Sequence, residues 1–201
     1  ASICVAGGVE SMSRAPWVMQ KPSKGFPSGH ETLYSTTLGW RMVNPKMSER
    51  WTVPLGETAE ILADRYGISR DEQDEFALAS HQKAVAAWTR GDFAAEVLPI
   101  KTRLFDGESW RNLTVDRDEG PRADTSMEKL ASLKTSFRPE GGRVTAGNAS
   151  QISDGAAALL LMGRGHADRL GVRARARIVA AATVGSDPVL MLTGPIAATR
   201  K

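Results

Sequence analysis

Nucleophiles and proton carriers are scarce in this sequence. It has one cysteine, Cys4, and three histidines, His30, His81 and His166. A cysteine attacks well only as the thiolate, its pKa lowered by a helix N-terminus or a nearby base. Cys4 instead sits in Ile3-Cys4-Val5-Ala6, a strand-like apolar pattern that suits a small core residue. His81 falls in the middle of a helical pattern, where a surface or hydrogen-bonded core role is expected. A single cysteine excludes an internal disulfide and any multi-cysteine zinc site. It also fits a reducing compartment, so a cytoplasmic location is expected.

Cations are the other chemistry on offer. Net charge is +3, with a slight acid excess in residues 1–100 and a basic excess beyond them. Aromatic residues make up 6% of the chain, and none interleave with the arginines of 164–177 as a base-stacking platform requires. A small anionic ligand is therefore expected rather than nucleic acid. No membrane span is expected either: the apolar run 156–162 is far below the ~18 residues one needs.

The elements that must position these groups follow from periodicity. The chain has 201 residues, 41% hydrophobic and 24% charged, enough for a packed core. Residues 2–6 read as a buried strand and Gly7-Gly8 as a turn. Residues 17–56 are broken by prolines and glycines, with Trp40 and Trp51 as anchors. A helix is expected over 58–66, with Ala59, Leu62, Ala63 and Tyr66 on one face. The next opens with a capping box, Ser69 and Glu72. It carries a stripe of Phe76, Ala77, Ala84, Ala87 and Trp88 and stops at Gly91.

Farther on, strands are expected at 96–100, around 113–115 and at 173–179, and helices at 126–133 and 165–170. The helix at 126–133 turns Met127, Leu130 and Leu133 inward. Asp154-Gly155 reads as a turn and 156–162 as a fully buried central strand. The mix predicts an α/β layered fold with a loop-rich insertion. A chain opening inside a buried strand reads as a piece of a longer protein.

Three motifs together resemble the thiolase family. They are Ala6-Gly7-Gly8-Val9-Glu10-Ser11-Met12-Ser13; Val144-Thr145-Ala146-Gly147-Asn148-Ala149-Ser150 followed by Asp154-Gly155-Ala156-Ala157; and Gly185-Ser186-Asp187-Pro188 with Met191 and Gly194-Pro195. Gly56-Glu57-Thr58-Ala59-Glu60 and Asp118-Glu119-Gly120-Pro121-Arg122 join them in order, so the resemblance covers the whole chain. Gly39-Trp40-Arg41 and Asn44-Pro45 resemble the degradative branch of that family. The resemblance implies two similar α/β halves, each with a five-stranded sheet, and a loop domain inserted in the first. The expected fold is α/β, thiolase-like, half of that duplicated core with its insertion. On this map 1–170 are the C-terminal part of the N-terminal domain, the loop domain takes about 17–143, and 172–201 begin the C-terminal domain.

The activity implied is acyl transfer to or from coenzyme A, by thiolysis of a 3-ketoacyl-CoA or the reverse Claisen condensation. Such chemistry needs a cysteine nucleophile, a histidine and second cysteine for proton transfer, and oxyanion holes. In the family the nucleophile lies upstream of the Gly-Gly-x-Glu-Ser-Met motif. The Gly-His-Pro histidine and the Cys-x-Gly cysteine lie downstream of position 201. Cys4, His30, His81 and His166 match none of these, so no catalytic residue is assigned in this chain. No metal is expected, and no cofactor beyond coenzyme A as substrate.

What remains is the coenzyme surface. The resemblance places Arg122 against the adenine–phosphate end, where a cation is wanted. Ala146, Ala149 and Ser150 fall beside the thin pantetheine arm, Ser150 offering its hydroxyl to an amide, and Phe137 supports that tunnel. Leu55 and Met191 fall near the acyl pocket. Glu10, Asp154 and Gly155 are expected to tie down turns. Two positions depart from the family: Gln151 stands where Gly is usual, and Pro54 where biosynthetic-type members have a histidine. The partners implied are acyl-CoA and CoA, and a homodimer or homotetramer. Larger assemblies would use residues 20–45, where Phe26, Leu33, Tyr34, Leu38 and Trp40 lie. A non-catalytic thiolase-like acyl-CoA-binding protein is the alternative.

Overall fold

A computed structural model describes residues 2–201. The chain divides into two compact units, one of Ala1–Leu62 with Ile152–Lys201 and one of Ala63–Gln151.

The first unit is organised by an antiparallel pair, β1 (Ile3–Ser11) and β6 (Asp154–Met162), in register from Ile3 opposite Met162 to Ser11 opposite Asp154. This corrects three expectations. Gly7-Gly8 and Asp154-Gly155 are not turns but strand residues. The reason at Gly7 is close approach: a Cβ there would lie 2.5 Å from the carbonyl oxygen of Ala157, so only glycine lets the two backbones pair at that point. The ribbon is also not buried. Every β1 residue is exposed, Cys4 included, and Leu159 is 67% exposed. Two strands bury little without a layer against them, and among the described residues no third strand joins this pair.

The excursion between β1 and the first helix is irregular, as expected. It holds a two-residue pairing of β2 (Trp17–Val18) with β3 (Tyr34–Ser35). The Trp40 indole N–H donates to the Val53 carbonyl at 3.1 Å, so Trp40 anchors by its edge; both it and Trp51 stay exposed, and neither anchors by burial. After β6 come α4 (Arg164–Leu170) and, near the end, α5 (Gly194–Arg200). The strand expected at 173–179 does not form: with no ladder partner its alternation has nothing to pair with, and Ile178 and Val179 are exposed.

Helix α1 (Leu55–Tyr66) begins three residues earlier than its apolar period suggests. Thr58 and Glu60 are buried beside Ala63, while Tyr66 is exposed. Helix α2 (Arg70–Arg90) has the expected capping box, Ser69 accepting from the Glu72 N–H and Glu72 accepting from the Ser69 N–H, and ends on Gly91 at φ +78°. Its inward stripe keeps Ala77, Ala84, Ala87 and Trp88 as expected but not Phe76. Phe76 is 79% exposed, and Asp74 takes the buried position beside Ala77. The strand expected at 96–100 lies later, as β4 (Ile100–Phe105). It forms a hairpin with β5 (Trp110–Val115) through the Asp106-Gly107 turn. Helix α3 (Met127–Ala131) buries Leu130 at 3% exposure. Leu133, expected inward, falls past the helix end and stays partly open.

Candidate functional site

Five of the seven sequence-assigned residues, Arg122, Phe137, Ala146, Ala149 and Ser150, fall in the second unit. Their positions are set by a polar network under the loop 143–150. Thr145 is fully buried and pairs as an isolated bridge with Thr135, and the Ser136 N–H donates to the Val144 carbonyl at 2.8 Å. Phe137 follows that pairing directly and is 41% exposed. Asn148 folds its side chain back into the loop: its Oδ1 accepts from the Thr145 N–H at 2.8 Å, and its Nδ2 donates to the Arg143 carbonyl at 2.9 Å. The same Nδ2 donates to Asp74 Oδ1 on α2, also at 2.9 Å. Ala146, Ala149 and Ser150 are left exposed above this base.

Asp74 is 1% exposed, and both its oxygens are used. Oδ2 accepts from Arg70 Nε at 2.7 Å. The Arg70 guanidinium goes on to the carbonyls of Leu130 and Leu133 at the end of α3. A buried carboxylate is tolerated only with such partners. From below, Leu130 and Leu133 meet the loop at Gly147, where a Cβ would lie 2.5 Å from Leu130 Cδ2 and 2.6 Å from Leu133 Cδ1.

Arg122 enters from another segment. Its backbone N–H donates to Nδ1 of His81 at 3.2 Å, so His81 is an anchor for this turn, one of the two roles the sequence allowed it. The Arg122 side chain is exposed and forms no salt bridge among the described residues. Asp124, close by, is held below the ordinary carboxylate range mainly by its hydrogen bond from Lys129, with a smaller contribution from the charge of Arg122. The turn meets the loop at Gly120, whose Cβ position would lie 3.3 Å from Cδ of Gln151. Gln151, next to Ser150, thus lies close to the Arg122 turn.

A second charged cluster braces the far side of the loop. Asp64 receives Arg143 at 2.6 Å and Arg138 at 2.5 Å. Arg143 first, then Arg138, hold its carboxyl below the usual value.

Leu55 and Met191 belong to the other unit. Leu55 is the exposed first residue of α1, and Met191 opens a short 3-10 turn. That turn is set by Asp187, whose Oδ1 accepts from the N–H groups of Val189 and Leu190. Asp154, as expected, ties down a turn: it accepts from both the backbone N–H and the hydroxyl of Ser13.

Sequence reasoning missed Arg70, Asp74 and Asn148. A signal was available for Asp74. Positions 74, 77, 81, 84 and 88 share one helix face at spacings of three and four, and a carboxylate on that stripe requires a buried partner.

The model of the thiolase N-terminal domain matches residues 1–165, and the chain belongs to the thiolase family. Over its full length it is 45% identical to a β-ketoadipyl-CoA thiolase of Acinetobacter baylyi, covering 49% of that protein. It is 46% identical to an acetyl-CoA acetyltransferase of Pseudomonas aeruginosa, again covering 49%. The crystal structure of the Bacillus anthracis acetyl-CoA acetyltransferase superposes on the whole chain with a TM-score of 0.84 at 38% identity, over 48% of its own length. The fold is therefore the thiolase-like α/β fold. The chain spans about half the length of the curated relatives it matches.

Proposed function

We propose that this chain forms part of an acyl-CoA C-acyltransferase, which cleaves a 3-ketoacyl-CoA with CoA or runs the reverse condensation, and that it supplies coenzyme-binding surface. In this reading Arg122 meets the phosphate end of the coenzyme. Ala146, Ala149 and Ser150 flank the pantetheine, Phe137 supports it, and Leu55 and Met191 lie toward the acyl group. The chemistry of the nucleophile and proton carriers comes from residues other than Cys4 and the three histidines, and coenzyme A enters as substrate, with no separate cofactor. The loop domain at about 17–143, the second half beginning at 172, a homodimer or homotetramer and a cytoplasmic location complete the reading. Among the described residues no helix is long and apolar enough to cross a membrane.

One observation carries it: the loop 143–150 is clamped beneath and open above, and Gln151, which follows it, lies close to Gly120 of the Arg122 turn. Exposed small residues on a fixed backbone, with an unpaired cation alongside, suit a thin arm ending in phosphates. The relatives' names make 3-oxoadipyl-CoA and acetoacetyl-CoA the substrates to assay. The protein carrying this chain is expected to split one of them when CoA is added. Arg122→Ala should raise KM for CoA about tenfold, equivalent to losing a charge-assisted hydrogen bond of ~1.5 kcal/mol. Binding of CoA without cleavage would favour the non-catalytic alternative, and an unchanged KM would return Arg122 to the solvated surface.

A further inference from the structure

We propose that Asp74 is a positioning residue for the coenzyme loop, acting through Asn148; this rests on the reading that the loop binds CoA. The carboxylate lies on α2 and meets the loop directly through Asn148 Nδ2. Asn148 in turn closes the loop on itself through Thr145 and Arg143. The other carboxylate oxygen fixes Arg70, which holds the end of α3. Leu130 and Leu133 of that segment pack under Gly147. One buried charge thus sets the loop from both sides, by direction through Asn148 and by height through α3.

An apolar side chain at position 74 would bury more cheaply than a charge. It would not orient an amide. The arrangement has the form of a supporting shell, in which buried directional bonds fix the residues that meet the ligand. Ser150, two residues beyond Asn148, is the group most dependent on that orientation. Arg122 is less so, because its turn hangs from His81.

The test uses Asp74→Asn and, should that variant not fold, Asn148→Ala, which leaves the Arg70–Asp74 pair in place. CoA affinity is read by calorimetry on the purified full-length protein that carries this chain. Each variant is expected to keep its helical circular dichroism and to bind CoA about tenfold more weakly, the middle of the coupling range for residues in one network. Ser150→Ala should cost little more in the Asp74→Asn background, whereas Arg122→Ala should cost its full factor there. Amide exchange at Gly147, Asn148 and Ala149 should accelerate. Wild-type affinity in a folded Asp74→Asn, or an undiminished effect of Ser150→Ala, overturns the proposal. If the wild-type protein binds no CoA, the coenzyme reading fails. Faster exchange in that case would leave a clamp without the proposed purpose, and unchanged exchange would remove the clamp itself.

Discussion

Gly147 is where the loop 143–150 meets the leucines beneath it. Leu130 beneath it is buried and cannot swing aside as an exposed side chain would. Gly147→Ala should therefore cost ~1–3 kcal/mol by overpacking, measured as a lower denaturation midpoint with an unchanged m-value; a midpoint equal to wild type would mean that the leucines yield freely. Asp64 makes a pH-dependent contribution of defined sign. Its folded pKa lies below the ordinary 3.8 because Arg143 and Arg138 hold it. The stabilisation is complete above that ordinary value and is lost as pH falls through the lower folded one. Thermal melts of wild type and Asp64→Asn should thus differ by a constant gap at pH 5–7 that closes as pH drops below about 4. A gap of constant size down to pH 2 would assign the difference to something other than this carboxylate.

At the scale of elements, α2 is the scaffold of the site, carrying Arg70, Asp74 and His81 along one side. Its N-terminus depends on Ser69, whose hydroxyl accepts from the Glu72 N–H at 3.1 Å. Ser69→Ala should cost about 1 kcal/mol, with Ser69→Asp close to neutral; equal losses for both would show that the cap is not the cause. The helices were the most legible part of the sequence, because capping and the glycine stop are local signals. The strands were legible in part: those expected at 2–6, 113–115 and 156–162 fall on β1, β5 and β6, but with different bounds. Gly7-Gly8 and Asp154-Gly155 carry turn chemistry, and only the pairing of β1 with β6 across the chain makes them strand. The site was half legible for the same reason. Arg122, Ala146, Ala149 and Ser150 lie in recognisable motifs, whereas Asp74 looks like one more solvated charge until Asn148 is placed against it. Phe76 misled in the opposite sense, an aromatic at helical spacing that faces water.

The whole chain presents much apolar surface. Phe26 is 97% exposed, and Leu33, Leu38 and Trp40 are open in the same excursion. Among the described residues the β1–β6 ribbon has an unpaired edge on each side, and such edges recruit further strands. Light scattering on the purified 201-residue chain is expected to show association that grows with concentration. A stable, monodisperse monomer at high concentration would mean that these edges and side chains are self-sufficient.

The pairing of β1 with β6 also fixes an order of events at the ribosome. Ser13 and Asp154, which bond at the end of the ribbon, are 141 residues apart. At ~5–20 residues per second of synthesis, β1 emerges on the order of ten to thirty seconds before its partner. Residues 63–151 form a compact unit of their own and are completed within that interval. Once folded, they replace a long floppy tether by a short rigid one, and the entropy of closing the ribbon falls accordingly. Until then β1 is without β6, so synthesis halted before residue 154 leaves that edge of β1 open to whatever chaperone is nearest.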